Sequence, residues 1–427
     1  MATKNSQLKN KKAPEVGYEE ALNEMSAQPK KRVRGQQNRP KSQNGWKVML
    51  LGGVLGCIGG AVMFVLPFVL PKEALPDLNF PLIPSQSEAD NAIYSDLTGL
   101  TLNSLAEKTA TAYCIQTPNG TDGARPQVGL KQAGVVFEAI AEAGITRFAA
   151  IYQNPASAVI GPIRSLRLYY LQWDTPFDCA IVHAGGADDA IEAVRYGGYL
   201  DLSENYAYMY RSYAGSRLWN NLFTTAYELK QFSADNEHEK SQIKGFSRMT
   251  PAESVRARID ATVAEKLVIT KPASHNTSAT APKVTEIGID FGGSETFNVY
   301  YNYDAITNSY ARSYGNGYTH DVYVCPNEDL GEPSPENVCG LEQMSPAVVV
   351  AMYVEEHRAD DNYHEDITTV GSGEAVVFQN GIAIHGRWEK ASVKDQIKFY
   401  DDAGSEIKLA PGQTFVEAVP GYGNVAY

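Results

Sequence analysis

The pattern of apolar and polar positions divides the chain into stretches of different texture. Residues 1–47 carry few aliphatic side chains and many basic and polar ones. Such a segment cannot bury enough apolar surface to offset its chain entropy, which predicts a disordered tail. Residues 48–70 (VMLLGGVLGCIGGAVMFVLPFVL) then run 23 positions without a charge. At about 1.5 Å per residue this crosses a hydrocarbon core of about 30 Å, so the pattern predicts one transmembrane helix. Its glycines suit a membrane span better than a soluble helix, and Trp46 stands where an amphipathic ring prefers the interface. Residues 71–98 are broken by prolines and read as a stalk.

Beyond the stalk, short runs replace the long one. Residues 99–270 alternate buried-strand patterns at 111–115, 134–140, 147–152 and 177–183 with helical spacing at 164–172 and 187–196. A further helix is expected at 251–265, with Thr250 as N-cap and Pro251 at the first helical position. This alternation predicts an α/β layered domain. Residues 271–284 (KPASHNTSATAPKV) read as a linker. Residues 285–427 show period-two alternation rich in tyrosine and valine at 295–303, 309–314, 348–354, 374–378, 382–388 and 397–400. Gln379-Asn380-Gly381 is a hairpin turn signal and Asp401 to Gly404 another. The expected fold class is therefore α+β overall: an N-terminal α/β layered domain plus a C-terminal antiparallel β-rich domain, a sandwich or partly open barrel, preceded by one transmembrane helix.

Charge gives the span a direction. Of the chain's 37 basic and 50 acidic residues, eleven and four lie before the span, leaving 26 against 46 beyond it. The positive-inside rule places the N-terminus in the cytoplasm and the large acidic remainder outside, a single-pass cell-membrane protein with an extracellular ectodomain. An acidic ectodomain is a poor nucleic-acid binder. Val54-Leu55-Gly56-Cys57 loosely resembles a lipoprotein acceptor site, but the apolar run continues thirteen residues past Cys57, which suits a span better. Cysteine usage agrees with export. Cys325 and Cys339 bracket a Pro/Asn/acid-rich loop and are expected to form a disulfide, which persists in oxidising compartments. Cys114 and Cys179 both lie in apolar runs; the residues leave open whether they pair or stay as buried thiols.

The densest candidate chemistry lies in the first half. Arg125, Gln127, Glu138, Arg147, Arg164, Ser165, Arg167, His183, Gly185 and Gly186 sit at ends of apolar runs or in Gly/Pro turns. Strand ends of an α/β sheet collect ligands, Arg presents a planar fork to phosphate or carboxylate, and glycines let the backbone approach an anion. The competing reading pairs Arg125, Arg147, Arg164 and Arg167 internally with Glu138, Glu142, Asp174 or Asp178. His183 is a candidate base or a satisfied structural group. Gly-x-Ser-x-Gly, P-loop and His-Glu-x-x-His signatures are absent. No pattern calls for a cofactor or a metal: the acidic stretch DDNYHED at 360–366 lacks EF-hand spacing and its central glycine, and reads as a solvated turn.

The same runs carry a resemblance. RPQVGLKQAGVVFEAIAEAGITRFAAIYQ, IGPIRSLRLYY and IVHAGG, then YARSYGNGYTHDV, VGSGEAVVFQNGIAIHGRWEK and IKFYDDAGSEIKLAPGQTFVEAVP, resemble the YerB-like family of bacterial lipoproteins across residues 98 to 420. The resemblance implies a surface-exposed two-domain protein of Gram-positive-type bacteria and adds His320 to the candidate residues; it implies no particular activity. Two features depart from the family: the span in place of a lipid anchor, and the insert bearing Cys325 and Cys339. The expected function is an envelope protein, non-catalytic, that binds an anionic cell-wall polymer or another envelope protein. The alternative is a phosphotransferase-like wall enzyme in which Arg147, Arg164 and Arg167 hold a pyrophosphate and Glu138 carries magnesium. An uncleaved span predicts that the mature protein keeps residues 1–56; an intact-mass measurement checks this, since lipidation at Cys57 would remove them.

Overall fold

One large sheet draws its strands from both halves of the chain. The computed structural model describes residues 92–157, 159–212, 220–258, 283–325, 339–361 and 363–427. The expected tail, the span at 48–70, most of the stalk and the linker as far as residue 282 lie outside them. Among the described residues no helix is long and apolar enough to cross a membrane. The N-terminal half supplies β1 (Ala112–Pro118), β2 (Val135–Glu142), β3 (Ile145–Gln153), β4 (Cys179–His183) and β5 (Asp201–Ser203). The C-terminal half opens with β6 (Glu286–Asp290), β7 (Val299–Asp304) and β8 (Ser309–Tyr314). It continues with β9 (Val348–Val354), β10 (Gly371–Gln379), β11 (Ile382–Lys390), β12 (Lys398–Asp401), β13 (Thr414–Pro420) and β14 (Asn424–Ala426).

The ten-stranded order is β12-β11-β10-β9-β13-β2-β3-β1-β4-β5, and β8-β7-β6-β14 form a separate four-stranded sheet. The halves meet where β13 pairs in parallel with β2, Glu417 opposite Glu138. Every residue of β1, β2 and β13 is buried, as expected for central strands covered on both faces. One face packs α1 (Leu168–Asp174) and α2 (Asp188–Tyr196), with Trp173 stacked on Phe137 at 5.3 Å between centroids. On the other face, Leu229 and Phe232 of α3 (Ala226–Asp235) cover the N-terminal strands. There the four-stranded sheet lays Ile287, Val299, Tyr301 and Tyr310 over Val349, Phe378 and Val419.

Most expected elements are present. Asn380 and Gly381, at φ +55° and +75°, turn the β10–β11 hairpin with both central residues left-handed, and a side chain at Gly381 would meet the Tyr303 ring at 2.6 Å. Three expectations need correction. The helix expected from 164 begins only at Leu168, because Arg164 N donates to Gln116 O of β1 (2.8 Å) and Leu166 N to Gly185 O of the turn after β4 (3.0 Å). The C-terminal half is not purely antiparallel: β9 pairs with β13, and β13 with β2, in parallel. Strand β13 itself was not among the expected strands. Residues 251–258 are helical, and the rest of the helix expected there lies outside the described residues.

Because β13 covers the edge of β2, the N-terminal half ends, if separated, in a bare edge strand that is apolar but for Glu138 and Glu142, an aggregation hazard. A chain cut after residue 258 is therefore expected to lack a cooperative thermal transition and to aggregate, whereas residues 92–427 melt cooperatively; circular dichroism and light scattering on the two fragments check this.

Candidate functional site

Strands β1, β2, β4 and β5 run in one direction, so their carboxyl ends share one edge of the sheet. Glu142 ends β2 there, Arg147 lies near the start of the antiparallel β3, and residues 161–167 cross beside the end of β4. Gly161 is required where that crossing segment begins. Its φ is +148°, and a Cβ would lie 2.8 Å from the Phe223 ring and 3.0 Å from Leu222 O.

The edge gathers three guanidinium groups around one carboxylate. Glu142 Oε1 accepts from Arg147 Nη2, and Oε2 accepts from Arg167 Nη2 at 2.6 Å. Arg167 Nη1 donates to Leu166 O (3.0 Å) and Arg147 Nη1 to Ser165 O (3.4 Å). Arg164 Nε donates to Asn220 Oδ1 (2.8 Å), and among the described residues its two terminal nitrogens have no partner. Arg167 Nε is buried without a partner. Burial lowers the pKa of Arg147 and of Arg164, and the neighbouring cation lowers each further, Arg167 acting on Arg147 and Arg147 on Arg164. The cluster therefore carries more positive charge than its own carboxylate offsets.

His183 stands at this edge as a strut. Its Nδ1 meets Gly185 O at 2.7 Å and its Nε2 meets Asp201 Oδ1 at 2.9 Å, so neither nitrogen is free to act as a base. It holds the Gly185-Gly186 turn, where Gly185 is left-handed at φ +66° and faces open space.

The other sequence candidates lie elsewhere. Glu138, Gln127 and His320 are buried between the halves of the molecule, around Arg312, which is itself fully buried. Arg312 Nη2 donates to Glu138 Oε2 at 2.5 Å, while Asn119 Nδ2 (3.0 Å) and Thr146 Oγ1 (2.6 Å) donate to Oε1. Arg312 Nη1 meets His320 Nδ1, so that nitrogen accepts and Nε2 donates to Gln127 Oε1 at 3.1 Å. Burial, then Arg312, push the His320 pKa well below its ordinary value, and the ring is neutral. Arg125 spans the rim of this network, donating Nε to Asn119 Oδ1 (2.9 Å) and stacking 3.5 Å over the Tyr314 ring. Tyr314 donates to the same Asn119 oxygen at 2.9 Å.

Glu417, opposite Glu138, completes the network. Tyr301 donates its hydroxyl to Glu417 Oε1 and accepts from Arg312 Nε at 3.1 Å. Burial, then the Glu138 charge, hold the Glu417 carboxyl well above the carboxylate range, so it is protonated. Glu417 Oε2 has no donor facing it, and a side-chain hydrogen bond with Glu138 adds to the raised pKa. One proton and one guanidinium thus balance two carboxyl groups.

The structure therefore splits the predicted constellation. Arg147, Arg164, Ser165, Arg167, His183, Gly185 and Gly186 share the carboxyl edge; Arg125, Gln127, Glu138 and His320 belong to the interior. Glu138 is consequently not available to carry magnesium beside the arginines. Among the described residues no group of three or more His, Cys, Asp or Glu side chains is arranged to hold a metal. In the acidic stretch, Asp361 Oδ1 accepts from the amides of Tyr363 (2.8 Å) and His364 (2.9 Å), a self-satisfied turn. The expected disulfide between Cys325 and Cys339 is present, and Cys114 and Cys179, whose pairing the sequence left open, are also bonded. Glu142 was expected only as a pairing partner, and Asn220, Arg312, Tyr301 and Glu417 were not singled out. Only the register of Glu417 with Glu138, invisible in one dimension, brings the last group together.

Fold and site together describe a sheet-rich two-segment protein, joined by a buried polar network and carrying a basic edge. The chain belongs to the DUF3048 family: residues 97–241 match the domain described as "Protein of unknown function (DUF3048) N-terminal domain" and residues 287–416 its C-terminal counterpart. It is 27% identical over 369 residues to "Putative lipoprotein YerB" of Bacillus subtilis (strain 168), covering 84% of this chain and 92% of that protein. The crystal structure of the YerB protein from Bacillus subtilis shares the fold, with a TM-score of 0.60 at 21% identity, over 78% of this chain and all of that one. The family resemblance carried by the sequence motifs is thus established.

The two carboxyl groups should respond differently to neutral replacement. Glu138→Gln strands the buried Arg312 charge and is expected to cost about 3–5 kcal/mol. Glu417→Gln replaces a group already neutral with one that can still donate to Glu138, at a cost of about 1 kcal/mol. The raised Glu417 pKa contributes stability that is full below the unfolded carboxyl value and is lost as pH rises toward the folded one. Urea denaturation at pH 5 and pH 8 should therefore show a smaller loss of stability with rising pH in Glu417→Gln than in the parent chain.

Proposed function

We propose that this chain is a membrane-tethered protein of the cell envelope whose exported part binds an anionic component of the wall at the arginine-rich carboxyl edge, without transforming it. The observation that carries the reading is the charge imbalance there: Arg147, Arg164 and Arg167 outnumber the two carboxylates that act on them, Glu142 and Asp122, and among the described residues the terminal nitrogens of Arg164 have no partner. A guanidinium fork held by its Nε, with no partner on its terminal nitrogens among the described residues, suits an oxyanion. The open Gly185-Gly186 turn leaves room for the ligand beside it.

The location rests on three supports. The apolar run at 48–70 and its charge asymmetry supply a span and its direction. The two disulfides suit an oxidising compartment. The Bacillus subtilis relative carries a lipoprotein name, which concerns a membrane-attached class of protein. The phosphotransferase alternative needs an acid beside the arginines to hold a cation; Glu138 is in the interior and Glu142 is held between two guanidinium groups, so binding is the better-supported reading.

The full-length protein in detergent, titrated with a purified anionic wall polymer and with a neutral glycan, tests this. We expect salt-dependent binding of the polyanion alone, and about a tenfold loss in Arg164→Ala, the value of one charge-assisted contact. Wild-type affinity in both Arg164→Ala and Arg147→Ala would place the binding elsewhere.

A further inference from the structure

The four-stranded sheet stops short on the face it covers. Its outermost strand, β14, pairs with β6 on one side, and among the described residues no strand and no main-chain hydrogen bond engages the other side. Beyond that edge the ten-stranded sheet continues, and the step between the two sheets holds a groove of about 530 Å3. Glu374 of β10 and His385 and Arg387 of β11 lie on its floor, on the same alternating face as Val376, Phe378 and Ala383, which the smaller sheet covers. Val425 and Tyr427 line it along β14, and Asp401 and Asp402 line it at the end of β12. The β14 side is held in place. Tyr427 meets the Phe378 ring edge-on at 5.0 Å between centroids, and its hydroxyl lies 2.6 Å from His385 Nε2.

The charge in the groove is not balanced. Arg387 is already answered: its Nε donates to Glu389 Oε1 (2.7 Å), and the guanidinium lies over the Tyr400 ring at 4.9 Å. Glu374 stands opposite Arg387 in register but forms no ion pair with it. Asp401 spends Oδ1 on the Ser405 amide at 2.8 Å. Among the described residues, the exposed Glu374 and Asp402 have neither an ion pair nor a hydrogen bond.

We infer that this groove takes an extended basic segment of another protein, which adds to β14 as a further strand and turns alternate lysine or arginine side chains toward Glu374 and Asp402. An open strand edge is a template for a chain that brings its own amides and carbonyls. In recognition by strand addition, main-chain hydrogen bonds supply affinity and the pockets met by alternate side chains supply specificity. Both parts are here: the outer side of β14 offers the first, and the acidic floor and end of the groove offer the second. A second copy of this chain fits poorly, because pairing β14 with itself about a twofold axis brings two acidic grooves together. The groove is separate from the arginine edge and opposite to it in sign, so it selects a different partner.

The full-length protein in detergent, titrated with a short synthetic peptide alternating lysine and threonine, tests the inference. We expect binding that weakens with salt, slower amide exchange in residues 424–426 of the complex, and no binding when glutamate replaces lysine. N-methylation of one alternate set of peptide amides should abolish binding, and methylation of the other set should leave it, because an added strand turns only every second amide toward its neighbour. Glu374→Gln combined with Asp402→Asn, both at exposed positions, should weaken the peptide about tenfold and leave the melting temperature unchanged. Four results overturn the inference: spermine bound as tightly as the peptide, methylation tolerated in both sets, wild-type affinity in the double variant, or self-association that protects residues 424–426 without peptide.

Discussion

A guanidinium removed from water has to be answered on every side, and Arg312 is answered by groups from both halves of the chain. Glu138 and Asn119 come from the N-terminal half, Glu417, Tyr301, His320 and Tyr314 from the C-terminal half. Leaving any member out strands a buried charge or lone pair, at a cost of several kcal/mol. The network therefore works as a register key. Only one alignment of β13 against β2 puts Glu417 opposite Glu138, and a slip of β13 by one residue would turn Glu417 to the other face of the sheet, away from Glu138. The arrangement of the four-stranded sheet follows, because Arg312 on β8 and Tyr301 on β7 must reach the same point.

The same residue types do different work at the sheet's carboxyl edge. In the interior, one guanidinium and one shared proton balance two carboxyl groups. At the edge, Glu142 is divided between Arg147 and Arg167, and Arg164 leans on an amide instead of an acid. The interior cluster is complete without a ligand; the edge cluster is left positive. That contrast, more than the number of arginines, separates a structural site from a binding one.

Much of this was legible in one dimension. Near-continuous apolar runs marked β1 to β4, which are buried mostly on both faces, and period-two alternation marked β8 to β12, each within a few residues. The Asn380-Gly381 turn was readable because few sequences tolerate two left-handed residues in a row. Strand β13 was not, since Glu417 interrupts its apolar run, and its acceptance in the core depends on Arg312 and Tyr301, distant in sequence. For the same reason Glu138 looked like a neighbour of the arginines. It is nine residues from Arg147 along the hairpin, but its side chain lies on the face that looks toward Arg312. The onset of α1 was placed early because helical spacing at 164–167 is overridden by hydrogen bonds to β1 and to the Gly185 turn.

The position of β13 also sets the order in which the molecule can be completed. This strand, far downstream of β2, lies between β9 and β2 in the middle of the sheet. Whether the chain emerges from a ribosome or is threaded through a membrane, its central seam stays open until residues 414–420 have been delivered. During that interval β2 is a bare, mostly apolar edge, so a chain released early is exposed to neighbours and to proteases. A fold of this kind favours delivery in one uninterrupted passage, with a helper holding the first half until the last strand arrives.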